Sequence, residues 1–399
     1  MMPHMVDTIR GCAMPVERYR QRRRRVAQIL RAVHGPLPVL VVGVGEQDPA
    51  TAVQPQLGRR RQDPWFDWLC GCHEPDAVLL LDPTEGRLRS TLFLQPSDPA
   101  RVIWDGERLS PGPAAKRAFG VERVAHGEGL RDAVSAAAER AGGRLGMCKR
   151  RIEPGFQSLA YQRWNRRLRG VRLVNVEPDL VGLRMIKDAD EIEWHRRAVV
   201  ATARGFKAAL QALPGLQSEA QVAGILAQHY LQDAYEPVAF APIVGSGPRA
   251  ATLHYPHNDQ ALVPRAGVLI DSGAAAGGYA ADVTRTIPQH GRFDQPRFRE
   301  LYELVLAAQR CGIQAARPGI TLEEWNAIAW QPILDAGMQR HHGLGHHLGL
   351  DVHDPADRQR PLAPGMLITC EPGVYLPEEG IGIRIEDDLL ITTEGCEVT

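Results

Sequence analysis

Two aspartates on short apolar runs are the first residues of this sequence that call for chemistry. Residues 267–287 read Gly-Val-Leu-Ile-Asp-Ser-Gly-Ala-Ala-Ala-Gly-Gly-Tyr-Ala-Ala-Asp-Val-Thr-Arg-Thr-Ile, two strand-like stretches around a Gly-rich turn, each with one carboxylate. A turn centred between Ala276 and Gly277 sets Asp271 directly opposite Asp282 on one face of a hairpin. Like charges so placed repel, Asp is depleted in strands, and a carboxylate among Val, Leu, Ile and Tyr is costly to bury without a partner. A bound dication resolves the conflict. The bland alternative is one turn aspartate and one solvated ladder position.

The last fifth of the chain adds more of the same chemistry. His342-Gly-Leu-Gly-His346-His347-Leu-Gly-Leu-Asp-Val-His353-Asp is followed by Glu371 in Cys-Glu-Pro-Gly, then by Gly380-Ile-Gly-Ile-Arg384-Ile-Glu386-Asp-Asp. Side chains alternate along a strand, so Arg384 and Glu386 share a face. A single strand glutamate or core histidine is more often a satisfied structural residue than a functional one. Four carboxylates on apolar strands together with a Gly-flanked imidazole are different. Hard oxygen ligands with one imidazole suit manganese, cobalt or zinc, and more carboxylates than one ion needs point to two metals sharing ligands.

The elements that must hold these residues follow from periodicity. The pattern predicts a helix over 15–34, strands over 37–44, 77–81, 90–94 and 101–104, a helix over 129–140 and a strand over 172–176, an α/β arrangement with both sheet faces covered. Gly43 and Gly45 follow a strand, but Glu46 to Pro49 stand where a helix N-terminus should be, so no dinucleotide fingerprint is present. A boundary is expected at 177–182, dividing an N-terminal α/β domain (1–180) from a catalytic domain (181–399). Beyond it the sequence predicts a long helix from Ala189 with acids in its first turn, a helix behind Ser218, a strand over 240–244, and a loop leading to His254. A helix over 295–316 and another capped by Thr321, with Glu324 at the capping-box position, complete the pattern. Arg22 to Arg25 are read as a solvated helix face.

Composition sets the outer limits. The chain has 399 residues, with 47 Lys plus Arg against 47 Asp plus Glu, a balance that argues against nucleic acid or an anionic membrane as the main partner. No apolar run is long enough to span a bilayer, and the N-terminus lacks the layout of a signal peptide, so a cytoplasmic location is expected. The 7 cysteines are odd in number and scattered, and read as reduced thiols.

From about Arg184 to its end the chain resembles the catalytic domain of the methionine aminopeptidase, prolidase and aminopeptidase P superfamily, which has the pita-bread fold. The resemblance rests on Asp271, Asp282, His346, Glu371 and Glu386 in the motifs quoted above, with no ligand position lost. It implies two divalent cations, manganese first with cobalt or zinc as alternatives, one held by Asp271, the other by His346 and Glu371, and both bridged by Asp282 and Glu386. It further implies attack by a metal-bridged hydroxide, with His254 and His353 contacting substrate and stabilising the oxyanion. Glu371 would shuttle a proton, and Arg384 would orient a bridging acid and support His342 or the substrate. Where the family often carries an aromatic residue, this chain has His347.

The His342, His346, His353 series and the presence of an N-terminal domain resembling those of creatinase and prolidase place the chain on the Xaa-Pro (M24B) branch. There the scissile bond is the imide before proline, which has no N–H. Val102-Ile-Trp-Asp-Gly-Glu-Arg-Leu resembles aminopeptidase P and prolidase phrases. Within the branch, the short connection from Glu371 to Gly380, together with Arg358 and Arg360 as partners for a proline carboxylate, favours an Xaa-Pro dipeptidase (prolidase). The alternative is an Xaa-Pro aminopeptidase acting on longer peptides. A non-catalytic peptide-binding protein on the same fold would predict lost ligands, and a methionine aminopeptidase would lack the N-terminal domain. A homodimer is expected, with residues 58–68, carrying Arg59, Arg60, Arg61, Trp65 and Phe66, as a loop gating the neighbouring site.

Overall fold

A computed structural model describes residues 14–45, 62–83, 86–100, 102–149, 151–153, 156–157, 159–234 and 238–399. The chain divides into two compact units between Val181 and Gly182. That point falls inside a helix, Glu177–Met185. No helix among the described residues is long and apolar enough to cross a membrane.

The N-terminal unit is built on a six-stranded mixed sheet of β1 (Val39–Val42), β2 (Val78–Asp82), β3 (Arg89–Leu94), β4 (Arg123–His126), β5 (Arg144–Met147) and β6 (Arg172–Asn175), in the order β4-β3-β2-β1-β5-β6. The helices of this part of the chain are α1 (Val16–His34), α2 (Pro64–Cys70), α3 (Val102–Asp105), α4 (Pro113–Phe119), α5 (Leu130–Arg140), α6 (Leu159–Arg167) and α7 (Glu177–Met185).

Three expectations fail in this unit. Residues 102–105 form a helix rather than a strand, and Ile103 and Trp104 on it are exposed. Arg24 and Arg25 are exposed as read, but Arg22 and Arg23 are buried: Arg23 donates to the carbonyls of Leu69 and Gly120, at 2.8 and 2.5 Å, so its guanidinium caps the C-terminal ends of two helices, which periodicity alone cannot see. Trp65 and Phe66 are buried in α2, whose start is capped by the Asp63 carboxylate, so they cannot serve a gating loop. Arg59, Arg60 and Arg61 lie outside the described residues.

In the second unit, α8 (Ala189–Ala212) and α9 (Glu219–Ala234) cover one group of strands. The Asp188 side chain accepts from the N–H groups of Asp190 and Glu191, and Glu191 reaches back to the Asp188 N–H, a complete capping box. The strands are β7 (Ile243–Ser246), β8 (Gly267–Ser272), a short β9/β10 hairpin (Ala275–Ala276, Tyr279–Ala280) and β11 (Val283–Pro288). Val268 and Ile270 pack with Phe206, Leu226 and Tyr230 of the helices; by strand alternation Leu269 and Asp271 take the other face. Helices α10 (Pro296–Ala315) and α11 (Leu322–Asp335) cover a second group, β12 (Leu367–Cys370), β13 (Gly373–Leu376), β14 (Ile381–Arg384), β15 (Asp387–Ile391) and β16 (Cys396–Val398). Trp325, Trp330 and Val305 pack there with Ile368, Ile383 and Leu389, again turning the residues between them to the opposite face. Thr321 and Glu324 form the expected capping box. The strand expected at 240–244 begins at Ile243 instead.

Candidate metal centre

The aspartate hairpin is shifted by two residues from the expected register. Its turn is Gly277-Gly278, both at positive φ (57° and 83°), so Ala276 pairs with Tyr279 and Asp271 pairs with Thr284 rather than with Asp282. Two consecutive glycines supply the left-handed backbone that a two-residue hairpin turn requires. Because the slip is an even number of residues, Asp282 keeps its face and becomes the diagonal neighbour of Asp271.

Ligand atoms of Asp282, His346 and Glu386 lie within 4.8 Å of one another. The His346 Nδ1–H donates to the carbonyl of His347 at 3.1 Å, which leaves Nε2 as a bare lone pair. That nitrogen faces Asp282 Oδ2 and Glu371 Oε1, each at 3.6 Å. Acceptors aimed at one another beyond hydrogen-bond distance fit a cation between them. Asp271 supports the same reading: one of its oxygens takes the Arg384 guanidinium at 2.5 Å, while Oδ1 is buried with no hydrogen-bond partner among the described residues. The donor set therefore suits a hard or borderline divalent ion.

Electrostatics show the same frustration. Burial, then the charges of Glu386 and Asp271, push Asp282 well above the usual carboxylate range. Burial, then Glu371 and Asp271, do the same to Glu386. Burial raises Glu371 to about 8, with Arg384 opposing the rise and Asp271 adding to it. Burial, then neighbouring His353, holds His346 down at about 3, so it is neutral and able to ligate.

Residues that sequence reasoning did not single out hold these groups in place. The Thr284 hydroxyl donates to Glu386 Oε2 at 2.6 Å and accepts from Arg384 Nε at 3.0 Å. Arg384 also donates to Tyr375 Oη at 2.9 Å, and that hydroxyl lies 3.0 Å from His342 Nε2. Since His342 Nδ1 is 2.8 Å from the Gly343 carbonyl, its Nε2 is the acceptor, and the bonds run in one direction from Arg384 through Tyr375 to His342. The Thr369 hydroxyl joins the His346 N–H to Glu371 Oε1, and the buried carboxylate of Asp388 accepts the Asp282 N–H at 3.0 Å. Strand alternation sets Thr284, two residues beyond Asp282, on the same face and could have found it; no local signal marks Asp388 or Tyr375.

The remaining candidates are spread more widely. His353 stacks on His346 with centroids 3.8 Å apart. His254 is exposed and near enough to His342 and His353 to add to the effect of burial in lowering their proton affinity. His347 is buried, and neither ring nitrogen is hydrogen-bonded among the described residues. Arg358 and Arg360 are exposed, outside the donor set, although Arg358 is close enough to depress His353.

Metallopeptidase family M24 matches residues 193–393, and the N-terminal domain of aminopeptidase P matches residues 19–144. The chain is 34% identical over 376 residues to an Xaa-Pro aminopeptidase of Haemophilus influenzae, covering 85% of this chain and 84% of that one. It is 31% identical over 378 residues to human Xaa-Pro aminopeptidase 3, covering 84% of this chain and 72% of that one. The structure of aminopeptidase P from Escherichia coli with the inhibitor Pro-Leu matches with a TM-score of 0.82 at 26% identity, over 96% of this chain and 94% of that one. The expected arrangement of a pita-bread domain behind a smaller α/β domain is thereby met.

Proposed function

The chain belongs to metallopeptidase family M24 and is an Xaa-Pro peptidase dependent on divalent metal; we propose that it is an aminopeptidase, releasing the N-terminal residue from peptides with proline in second place. The observation that carries the chemistry is the bare His346 Nε2 facing two carboxylate oxygens at 3.6 Å beside Glu386. The preference for a dipeptidase drawn from the sequence is given up. It needed a fixed clamp for the proline carboxylate, and Arg358 and Arg360 are exposed loop residues. The names of the relatives also favour the aminopeptidase.

In this proposal Asp271, Asp282, His346, Glu371 and Glu386 hold two divalent cations, with manganese the first choice. When bound, the cations lower the pKa of water and polarise the scissile carbonyl. The chain's own groups do the rest. Arg384 and Thr284 keep Asp271 and Glu386 turned inward. His353 and His254 donate to the carbonyl oxygen as charge develops on it. Glu371 carries the proton from the attacking water to the proline nitrogen, which must gain one to leave. We also propose a homodimer in which the N-terminal unit takes part, with the exposed Ile103 and Trp104 as the apolar surface to be covered.

A metal-reconstituted assay comparing an Xaa-Pro dipeptide with the matching Xaa-Pro-Yaa tripeptide tests the assignment. A higher kcat/KM on the tripeptide is expected. Cleavage confined to the dipeptide sinks it.

A further inference from the structure

We propose that Arg184 and Lys187 are positioning residues for His353, acting through a clamp on the carboxylate of its neighbour Asp354. The inference rests on the reading that His353 faces the substrate.

The imidazole of His353 makes no hydrogen bond among the described residues; it leans on His346 and is otherwise placed by its backbone. That backbone is fixed one residue later. Asp354 is buried, and its carboxylate takes the Arg184 guanidinium on Oδ1 and Lys187 Nζ on Oδ2 at 3.2 Å. Arg184 also holds Asp351 Oδ2 at 3.0 Å, and the Asp351 N–H donates to Asp354 Oδ1 at 3.2 Å, so His353 sits in a turn tied at both ends. The Asp354 N–H donates to the His347 carbonyl at 2.8 Å, which ties this turn to the segment carrying His346. Gly349 leaves room for the carboxylate, since a Cβ there would lie 2.8 Å from Asp354 Cγ. The cations are anchored in turn: Arg184 is in the last turn of α7, and the Lys187 N–H donates to the Gly365 carbonyl at 2.8 Å.

Arg184 and Lys187 are 2% and 4% exposed. Such residues are almost never buried unless paired, and a buried ion pair is seldom worth more to stability than apolar residues of the same size. What a rigid, charge-matched clamp supplies is position. A substrate-facing ring displaced by about 1 Å can lose up to roughly a hundred-fold in rate.

The test is a double-mutant cycle of Lys187→Met with His353→Ala, reading kcat, KM, bound metal and thermal unfolding. Lys187→Met leaves Asp354 paired with Arg184. It is expected to lower kcat about ten-fold with a smaller change in KM and unchanged metal content, and Lys187→Arg to restore most of the loss. In the His353→Ala background the same substitution should change kcat less than about two-fold, because the ring it positions is gone. An undiminished loss in that background, or a loss tracking metal content, overturns the clamp. If Lys187→Met does not fold, Asp354→Asn takes its place in the cycle with the same outcomes. If His353→Ala alone leaves kcat unchanged, it is the reading of His353 that falls.

Discussion

The imidazoles of His346 and His353 lie face to face, with centroids 3.8 Å apart and planes 15° from parallel. One ring turns its Nε2 to Asp282 and Glu371; the other is exposed. Adjacent rings thus have separable tasks, and substitution should separate them. Asp282→Asn removes a charge from the donor set and should abolish both metal retention and activity. His353→Ala should keep the metal and lower turnover by about a hundred-fold or more, as for the loss of an oxyanion donor. Metal analysis beside steady-state kinetics decides; equal metal loss in both variants contradicts the division.

Thr284→Val keeps the shape of a residue whose hydroxyl joins Arg384 to Glu386. Each charged group loses one hydrogen bond, about 1.5–3 kcal/mol apiece at a buried site. Because the ligand is then less firmly oriented, metal affinity should fall about 10- to 100-fold, with activity recovered at high metal concentration. Titration of the apoenzyme with manganese measures it. An unchanged affinity would mean that Glu386 needs no support from the hydroxyl.

Metal binding should release protons near neutral pH. In the metal-free protein Glu371 is raised to about 8, chiefly by burial, while His346 at about 3 is already neutral. A group with a raised folded pKa contributes stability that is complete below its unfolded pKa and lost as pH rises through the folded value. For Glu371 that window runs from the ordinary glutamate range to about 8, so the apoenzyme should lose stability across it and metal should restore more at pH 8 than at pH 6. Calorimetry at pH 7 in buffers of different ionisation enthalpy should show net proton release; zero release, or uptake, contradicts the electrostatic picture.

Ile103 and Trp104 are 90% and 83% exposed on a four-residue helix. If they are covered by a second copy, the native protein should sediment as a dimer or larger. Trp104→Asp should shift it toward monomer without altering metal content. A native monomer with full activity removes the proposed assembly.

The chemistry of this chain was legible where it depended on residue type and local spacing. Carboxylates on apolar strands, a Gly-flanked histidine and the capping box at Thr321 are local facts, because burial cost and backbone hydrogen bonding act over a few residues. Even the wrong hairpin register preserved the face of Asp271 and Asp282, since strand periodicity forgives a slip of two.

Tertiary structure decided which partner each group has. Thr284 meets Arg384 and Glu386 about a hundred positions away, Arg184 meets Asp354 170 positions away, and Arg23 caps carbonyls at Leu69 and Gly120. A hydrogen bond depends on distance and direction in space, and neither is encoded in the neighbourhood of one residue. The same limit explains the arginines read as solvated and the tryptophan read as a loop anchor: composition gives a side chain's capacity to pair, and only packing shows whether water or protein meets it.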